Sequence, residues 1–131
     1  MRIMSCMKKI FTMNLAEDKA AVVSDICKAL GAWHGVLRND KCAVRVADLL
    51  ENPDVQNMSE CEESRKLNME MAIFAGISSK ELDIFLERYK RSGAEPIALK
   101  SVITDTNKTW TLEKLYSELA REYMFYKMHG K

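Results

Sequence analysis

The sequence predicts an α/β fold: one small domain with about four strands alternating with four helices on a mostly parallel open sheet. Three observations carry this reading. The 131 residues are 47% hydrophobic and 30% charged, the size and balance of a single globular domain. Short β-branched and aromatic runs alternate with longer segments of helical period, the order that builds parallel βαβ units. Capping and stop residues fall at the joints between them. A ferredoxin-like α+β sheet with an extra C-terminal helix has a compatible element order and stands as the alternative.

Residues 1–8 precede the first strand and are expected to be a flexible N-terminus. Residues 9–14, KIFTMN, alternate loosely and read as that strand. Glu17–Leu30 brings Val22, Val23, Ile26, Cys27 and Leu30 onto one helical face, and Gly31 supplies the left-handed stop. Residues 33–38 read as a short second strand, weakened by Gly35. Residues 44–51 read as a short helix closed by Asn52 and Pro53. Residues 53–68 are polar, carry Glu60, Glu62 and Glu63, and show no apolar period. They read as a surface loop within one domain spanning 1–131.

The second half has sharper signals. Residues 69–76, MEMAIFAG, form a strand with an apolar centre. Ser78 and Glu81 have capping-box spacing, and Leu82, Phe85, Leu86 and Tyr89 then make the buried face of a helix. Gly93 ends it and Pro96 cannot continue it. Residues 96–103 are the last strand. Thr111 caps a closing helix with Leu112, Leu115, Tyr116, Leu119, Tyr123 and Tyr126 on one face. Glu113 in its first turn and Lys127 and Lys131 near its end suit the helix dipole. The chain has no internal repeat of the solenoid type.

Composition excludes several classes of function. Lys and Arg total 20 against 19 Asp and Glu, a net charge of +1, so no overall field draws nucleic acid or anionic lipid. Cys6, Cys27, Cys42 and Cys61 form no C-x-x-C pair, and His34 and His129 are the two histidines, so neither a metal nor a cofactor is expected. A dyad of His34 with Cys27 or Cys42 lacks a nucleophile motif around either cysteine. The glycines match no phosphate-binding loop. Arg88, Lys90 and Arg91 sit near a helix end, where the dipole explains them. No window reaches membrane-span length and the N-terminus has no signal-peptide pattern, so a cytoplasmic protein with reduced thiols is expected.

The stretch PIALKSVITDTNKTW, residues 96–110, holds the candidate site. Alternation turns Ile97, Leu99, Ser101 and Ile103 one way and Ala98, Lys100 and Val102 the other. A lysine here places the strand at a sheet edge, where it also blocks unwanted pairing. The competing reading is an amine at a cleft that holds an anion or forms a Schiff base. Thr, Asp and Asn at 104–109 build a self-bonded turn, and Trp110 staples onto Leu115. If the strands are parallel, that turn also lies where open α/β sheets bind ligands. Lys100, Thr104, Asp105, Thr106, Asn107 and Trp110 are therefore the candidate ligand-binding set, with Trp110 as the expected pocket wall. Late in the closing helix, aromatic residues occupy more than one face. Tyr116, Tyr123 and Tyr126 are the candidate interface for a homodimer or another protein partner.

Residues 71–123 resemble a bacterial family known as domain of unknown function number 3783. The resembling features are a strand ending in glycine, an IALK strand, a V-[LI]-T-x-T-N turn, and a tryptophan before a leucine-rich helix. Ile97, Ala98, Leu99, Lys100, Val102, Ile103, Thr104, Thr106, Asn107 and Trp110 match that pattern. The resemblance supports the fold and brings no activity with it. No acid–base pair, nucleophile or metal set has recognisable spacing. The expectation is a small non-enzymatic module that binds a protein or small ligand. The alternative is an anion-binding domain or enzyme built on residues 100–110.

Overall fold

The computed structural model describes residues 8–37, 45–47 and 68–129. Three expectations fall largely outside them: the flexible N-terminus at 1–8, the helix at 44–51 and the loop at 53–68. Among the described residues the order is β1 (Lys9–Met13), α1 (Glu17–Leu30), β2 (Trp33–Val36), β3 (Met71–Ala75), α2 (Ser79–Arg91), β4 (Leu99–Val102) and α3 (Leu112–His129). A 3-10 turn at Asn107–Thr109 precedes α3.

The sheet runs β2-β1-β3-β4. Its outer pairings, β1 with β2 and β3 with β4, are parallel, and the central pairing of β1 with β3 is antiparallel. The fold is thus a small α/β domain on a mixed, mostly parallel sheet. The ferredoxin-like alternative does not describe it, because α1 and α2 each return to a strand directly beside the one they left. β3 is central and wholly buried, which is why MAIFA is continuously apolar. Ile10, Ala72 and Phe74 pack against Val23, Ile26 and Cys27 of α1 and Phe85 and Tyr89 of α2. On the other face Phe11, Met13, Met71, Ile73 and Leu99 pack against Leu112 and Leu115 of α3.

Local chemistry explains the helix ends. Ser78 Oγ accepts from the Glu81 N–H while Glu81 Oε1 accepts from the Ser78 N–H, both at 3.1 Å. Thr111 Oγ1 accepts from the Lys114 N–H at 3.1 Å and caps α3. Gly35 has a tertiary role that its sequence context conceals. The Trp33 ring lies back across it, edge-on to Phe11 at 5.7 Å, and a Cβ on residue 35 would meet that ring at 2.5 Å.

The halves of the sheet are two copies of one βαβ unit, related by a pseudo-two-fold axis between Phe11 and Ile73. Equivalent residues recur 62 positions apart as far as Gly31 and Gly93, and 66 apart from β2 and β4 onward. Asn14 and Gly76 leave β1 and β3 with φ of 64° and 70°, and Gly31 and Gly93 follow α1 and α2 with φ of 74° and 82°. The Trp33 N–H donates to the Lys8 carbonyl as the Leu99 N–H donates to that of Glu70. The Leu37 N–H bonds Thr12 as the Ile103 N–H bonds Phe74.

Two ion pairs cross the axis with their charges exchanged. Lys8 meets Glu81 at 2.5 Å, and Lys19 meets Glu70 at 2.6 Å. Hydrogen bonding to Lys8 lowers the Glu81 pKa, and hydrogen bonding to Glu70 raises that of Lys19. Arg45 pairs with Thr111 across the same axis. Val46 and Leu112, each the next residue, both begin a helical turn in the same core. This duplication leaves little trace in the sequence because it preserves backbone geometry and burial while exchanging Asn for Gly and Lys for Glu.

Candidate functional site

The turn after β4 closes on Asn107, which is 9% exposed. The Thr104 N–H donates to Asn107 Oδ1 at 2.9 Å, and the Asn107 N–H donates to Thr104 Oγ1 at 3.1 Å. This is the reciprocal bonding pattern of a capping box, formed in the turn ahead of the 3-10 segment with asparagine in the usual place of glutamate. Asn107 Nδ2 donates to the Val102 carbonyl at 3.1 Å, and Thr109 Oγ1 donates to the Thr106 carbonyl at 3.0 Å. Asp105 is fully exposed beside Lys108, at 3.5 Å. Trp110 is half-buried against the α3-side core with Leu115, the staple arrangement, and Lys114 Nζ lies 4.9 Å above its ring.

Arg45 joins this turn from far away in sequence. Its Nη1 donates to the Thr109 carbonyl at 2.8 Å, while the Val46 N–H donates to the Trp110 carbonyl at 2.9 Å. Sequence reasoning missed Arg45. The available signal was the similarity of RVADLL to TLEKLY, which becomes meaningful only once the duplication is recognised.

Lys100 is not part of the turn. β4 is an edge strand, and Lys100 sits on its α2 side. Lys100 Nζ donates to the Ile97 carbonyl at 2.7 Å, back toward the start of the strand and away from Thr104, Thr106 and Asn107 at its end. Trp110 lies on the opposite, α3 face, so the wall beside Lys100 comes from α2. Ile97 also departs from simple alternation: β4 begins at Leu99, and Ile97 turns into the α1/α2 core.

Lys100 separates two depressions in the cleft between α2 and β4. One, of about 210 Å3, is lined mainly by Phe85, Leu86, Tyr89, Pro96 and Ile97. The other, of about 130 Å3, is lined by Phe74, Leu82, Leu86 and Val102. Lys90 and Lys100 are the charged residues lining them, among those described. Burial in these apolar surroundings lowers the Lys100 pKa. The segment 94–98 builds one wall, and the Tyr89 hydroxyl donates to the Glu95 carbonyl at 2.6 Å to hold it.

Other surfaces offer less. A larger depression of about 690 Å3 lies between α1 and α2, but Asp25, Asp83, Glu87, Arg88 and Arg91 around it are solvent-exposed and of mixed sign. The Cys27 thiol is buried and its pKa is pushed up to about 11 by desolvation, which makes it a poor nucleophile. Among the described residues no group of three or more His, Cys, Asp or Glu is placed to hold a metal. No described helix is long and apolar enough to cross a membrane.

The three interface tyrosines have different environments. The Tyr116 hydroxyl accepts from the Asn68 and Met69 N–H groups at 3.1 and 2.9 Å, tying α3 to the start of β3. Tyr123 packs partly against the core beneath Lys127. Tyr126 is 70% exposed, and Met124, Phe125 and Met128 beside it are exposed as well.

A family model described as Domain of unknown function (DUF3783) matches residues 70–126. The match covers β3, α2, β4 and most of α3, including both the Asn107 turn and the Lys100 cleft. No curated protein and no solved structure matches the chain.

Proposed function

We propose, from the site itself, that the protein is a non-catalytic binding module whose ligand seat is the α2–β4 cleft, with Lys100 as the anion contact; the cleft lies within residues 70–126, the span that matches the family of unknown function. One observation carries the reading. Lys8 and Lys19 each meet a carboxylate, whereas Lys100 stands in an apolar cleft with a main-chain carbonyl as its bonded partner. Lys100 is an exposed residue whose amine is only partly withdrawn from water, and among the described residues no carboxylate lines its cleft, so a ligand carboxylate or phosphate would supply the missing counter-charge. The rival site in the 104–110 turn has less support, because Thr104 and Asn107 spend their polar groups on each other.

Thermal melts with hexanoate and with inorganic phosphate test the proposal. An anion that binds only the folded protein at a hundred times its Kd adds about 2.7 kcal/mol of stability. The expected result is a raised Tm for the wild type and no rise for Lys100→Met. In the ligand-free state Lys100→Met should change Tm little, since the residue is exposed and the change removes one side-chain hydrogen bond. Because burial lowers the amine pKa below 10.5, the anion effect should fade as pH rises through that lowered value. Equal shifts in both proteins, or none in either, would reject Lys100 as the contact.

A second reading rests on the exposed Met124, Phe125, Tyr126 and Met128 at the end of α3: a homodimer or protein partner through these turns. Sedimentation velocity at micromolar concentration should show a dimer that Tyr126→Glu dissociates, and a monomer at all concentrations would remove the homodimer. A cytoplasmic location is supported by the free, buried thiol of Cys27, and the near-neutral charge gives nucleic acid no general attraction.

A further inference from the structure

The duplication provides an internal comparison for the cleft. In the first unit a single residue, Ala32, separates Gly31 from β2, whereas residues 94–98 separate Gly93 from β4. The equivalents of Phe85 and Tyr89 are the smaller Val23 and Cys27. The equivalent of Lys100 is His34, whose Nε2 lies 2.8 Å from Thr12 Oγ1 and whose pKa burial lowers. His34 thus has a side-chain partner in its own unit, whereas among the described residues Lys100 bonds a main-chain carbonyl. The longer segment, the larger side chains and a lysine in place of histidine are differences layered on one shared scaffold.

The phase of the β4 ladder adds a second, independent feature. Leu99 and Ile103 donate their N–H groups to β3, so alternate residues between them turn their main-chain groups away from the sheet. These outward groups are the N–H and C=O of Lys100 and the N–H and C=O of Val102. The Val102 carbonyl is already taken by Asn107 Nδ2, which stops any further pairing at that end. Among the described residues three main-chain groups remain for an added strand, directly beside the two apolar depressions that Lys100 lines.

We propose that the cleft binds an extended peptide segment, which adds to the edge of β4 as a fifth strand and carries an acidic side chain flanked two residues away on each side by apolar ones. The inference rests on Lys100 being an anion contact. Alternate side chains of an extended strand point to one face about 6.6–7 Å apart. An acid opposite Lys100 therefore sends its neighbours at two residues' remove toward the depressions on either side. The main-chain bonds give affinity, and the pockets and charge give the pattern, as in other strand-addition sites. The lining charges are Lys90 and Lys100, which fit an acidic ligand and oppose a basic one.

A random linear peptide library displayed against the full-length protein, counter-selected on Lys100→Gln, tests this. Enrichment of apolar-x-acid-x-apolar sequences is expected. Synthetic enriched peptides with blocked termini should lose about tenfold or more in affinity when the acid is made its amide, or when Lys100→Gln is used. N-methylation of the peptide groups that face β4 should abolish binding. Three outcomes overturn the inference: no enrichment over the variant, enrichment that depends on a free C-terminal carboxylate, or binding indifferent to N-methylation. If any of these occurs while hexanoate or phosphate still shifts the wild type alone, the anion site stands and the peptide does not. If those anions also fail, both readings fall.

Discussion

Phe85→Ala should lower the folding stability by about 3–5 kcal/mol, a large share of the 5–15 kcal/mol typical of a domain. Phe85 is 1% exposed and joins three elements. Its ring is edge-on to Phe74 of β3 at 5.0 Å, stacks on Tyr89 of α2 at 6.2 Å, and shares a core with Val23 and Ile26 of α1. Its removal loses buried apolar area and leaves a void that the strand-supported neighbours cannot fill, so both the transfer and the cavity costs apply. Urea unfolding followed by far-UV circular dichroism measures it. The equivalent Val23→Ala, which removes fewer carbons, should cost less. A loss under 1 kcal/mol for Phe85→Ala would mean that the helix layer is not packed as described. Because Phe85 also floors the larger depression beside Lys100, this variant should change ligand preference as well as stability.

Asn107→Ala should cost about 2–4 kcal/mol, more than any other single change in the turn. The asparagine amide satisfies the Thr104 N–H with its oxygen and the Val102 carbonyl with its nitrogen, and alanine removes both bonds, leaving the carbonyl the longer 3.3 Å bond from Ser101 Oγ. Asn107→Asp keeps an acceptor and loses the donor, so an intermediate loss is expected. Asp105→Ala, fully exposed, should fall within about 0.5 kcal/mol of wild type. Denaturant midpoints of the three variants in that order establish Asn107 as the centre of the turn. Equal midpoints for Asn107→Ala and Asp105→Ala would show that solvent replaces the bonds at no cost.

These two residues also show what was legible in the chain. The spacing of Leu82, Phe85, Leu86 and Tyr89 identified a helical face without any partner; Phe85 and Tyr89 are buried on it, whereas Leu86 stays exposed because it lies at the rim of the cleft beside β4. The polar run TDTN identified a self-bonded turn, although not that Asn107 would reach the Val102 carbonyl and close the open edge of β4. A lysine within an apolar strand signalled an edge, and β4 is one. The sequence placed Lys100 and the turn in one candidate site, yet the amine leans toward Ile97 while the turn lies at the other end of the strand. Side-chain direction along a strand depends on what fills the adjacent cleft, and here α2 fills it.

By itself, the sequence determined the extents of α1 and α2, the Ser78 and Thr111 caps, the positions of all four strands to within a few residues, and the family resemblance around 97–110. These depend on helical period, capping chemistry and β-propensity, each set by residues a few positions apart. Only the tertiary structure decided the antiparallel meeting of β1 and β3, the pseudo-two-fold duplication, the charge-exchanged pairs Lys8–Glu81 and Lys19–Glu70, and the clamp of Arg45 on the turn. All of these join residues distant in the chain. No local energy distinguishes one partner from another there, and the choice falls to whichever assembly buries both faces of β3 while leaving its backbone fully bonded.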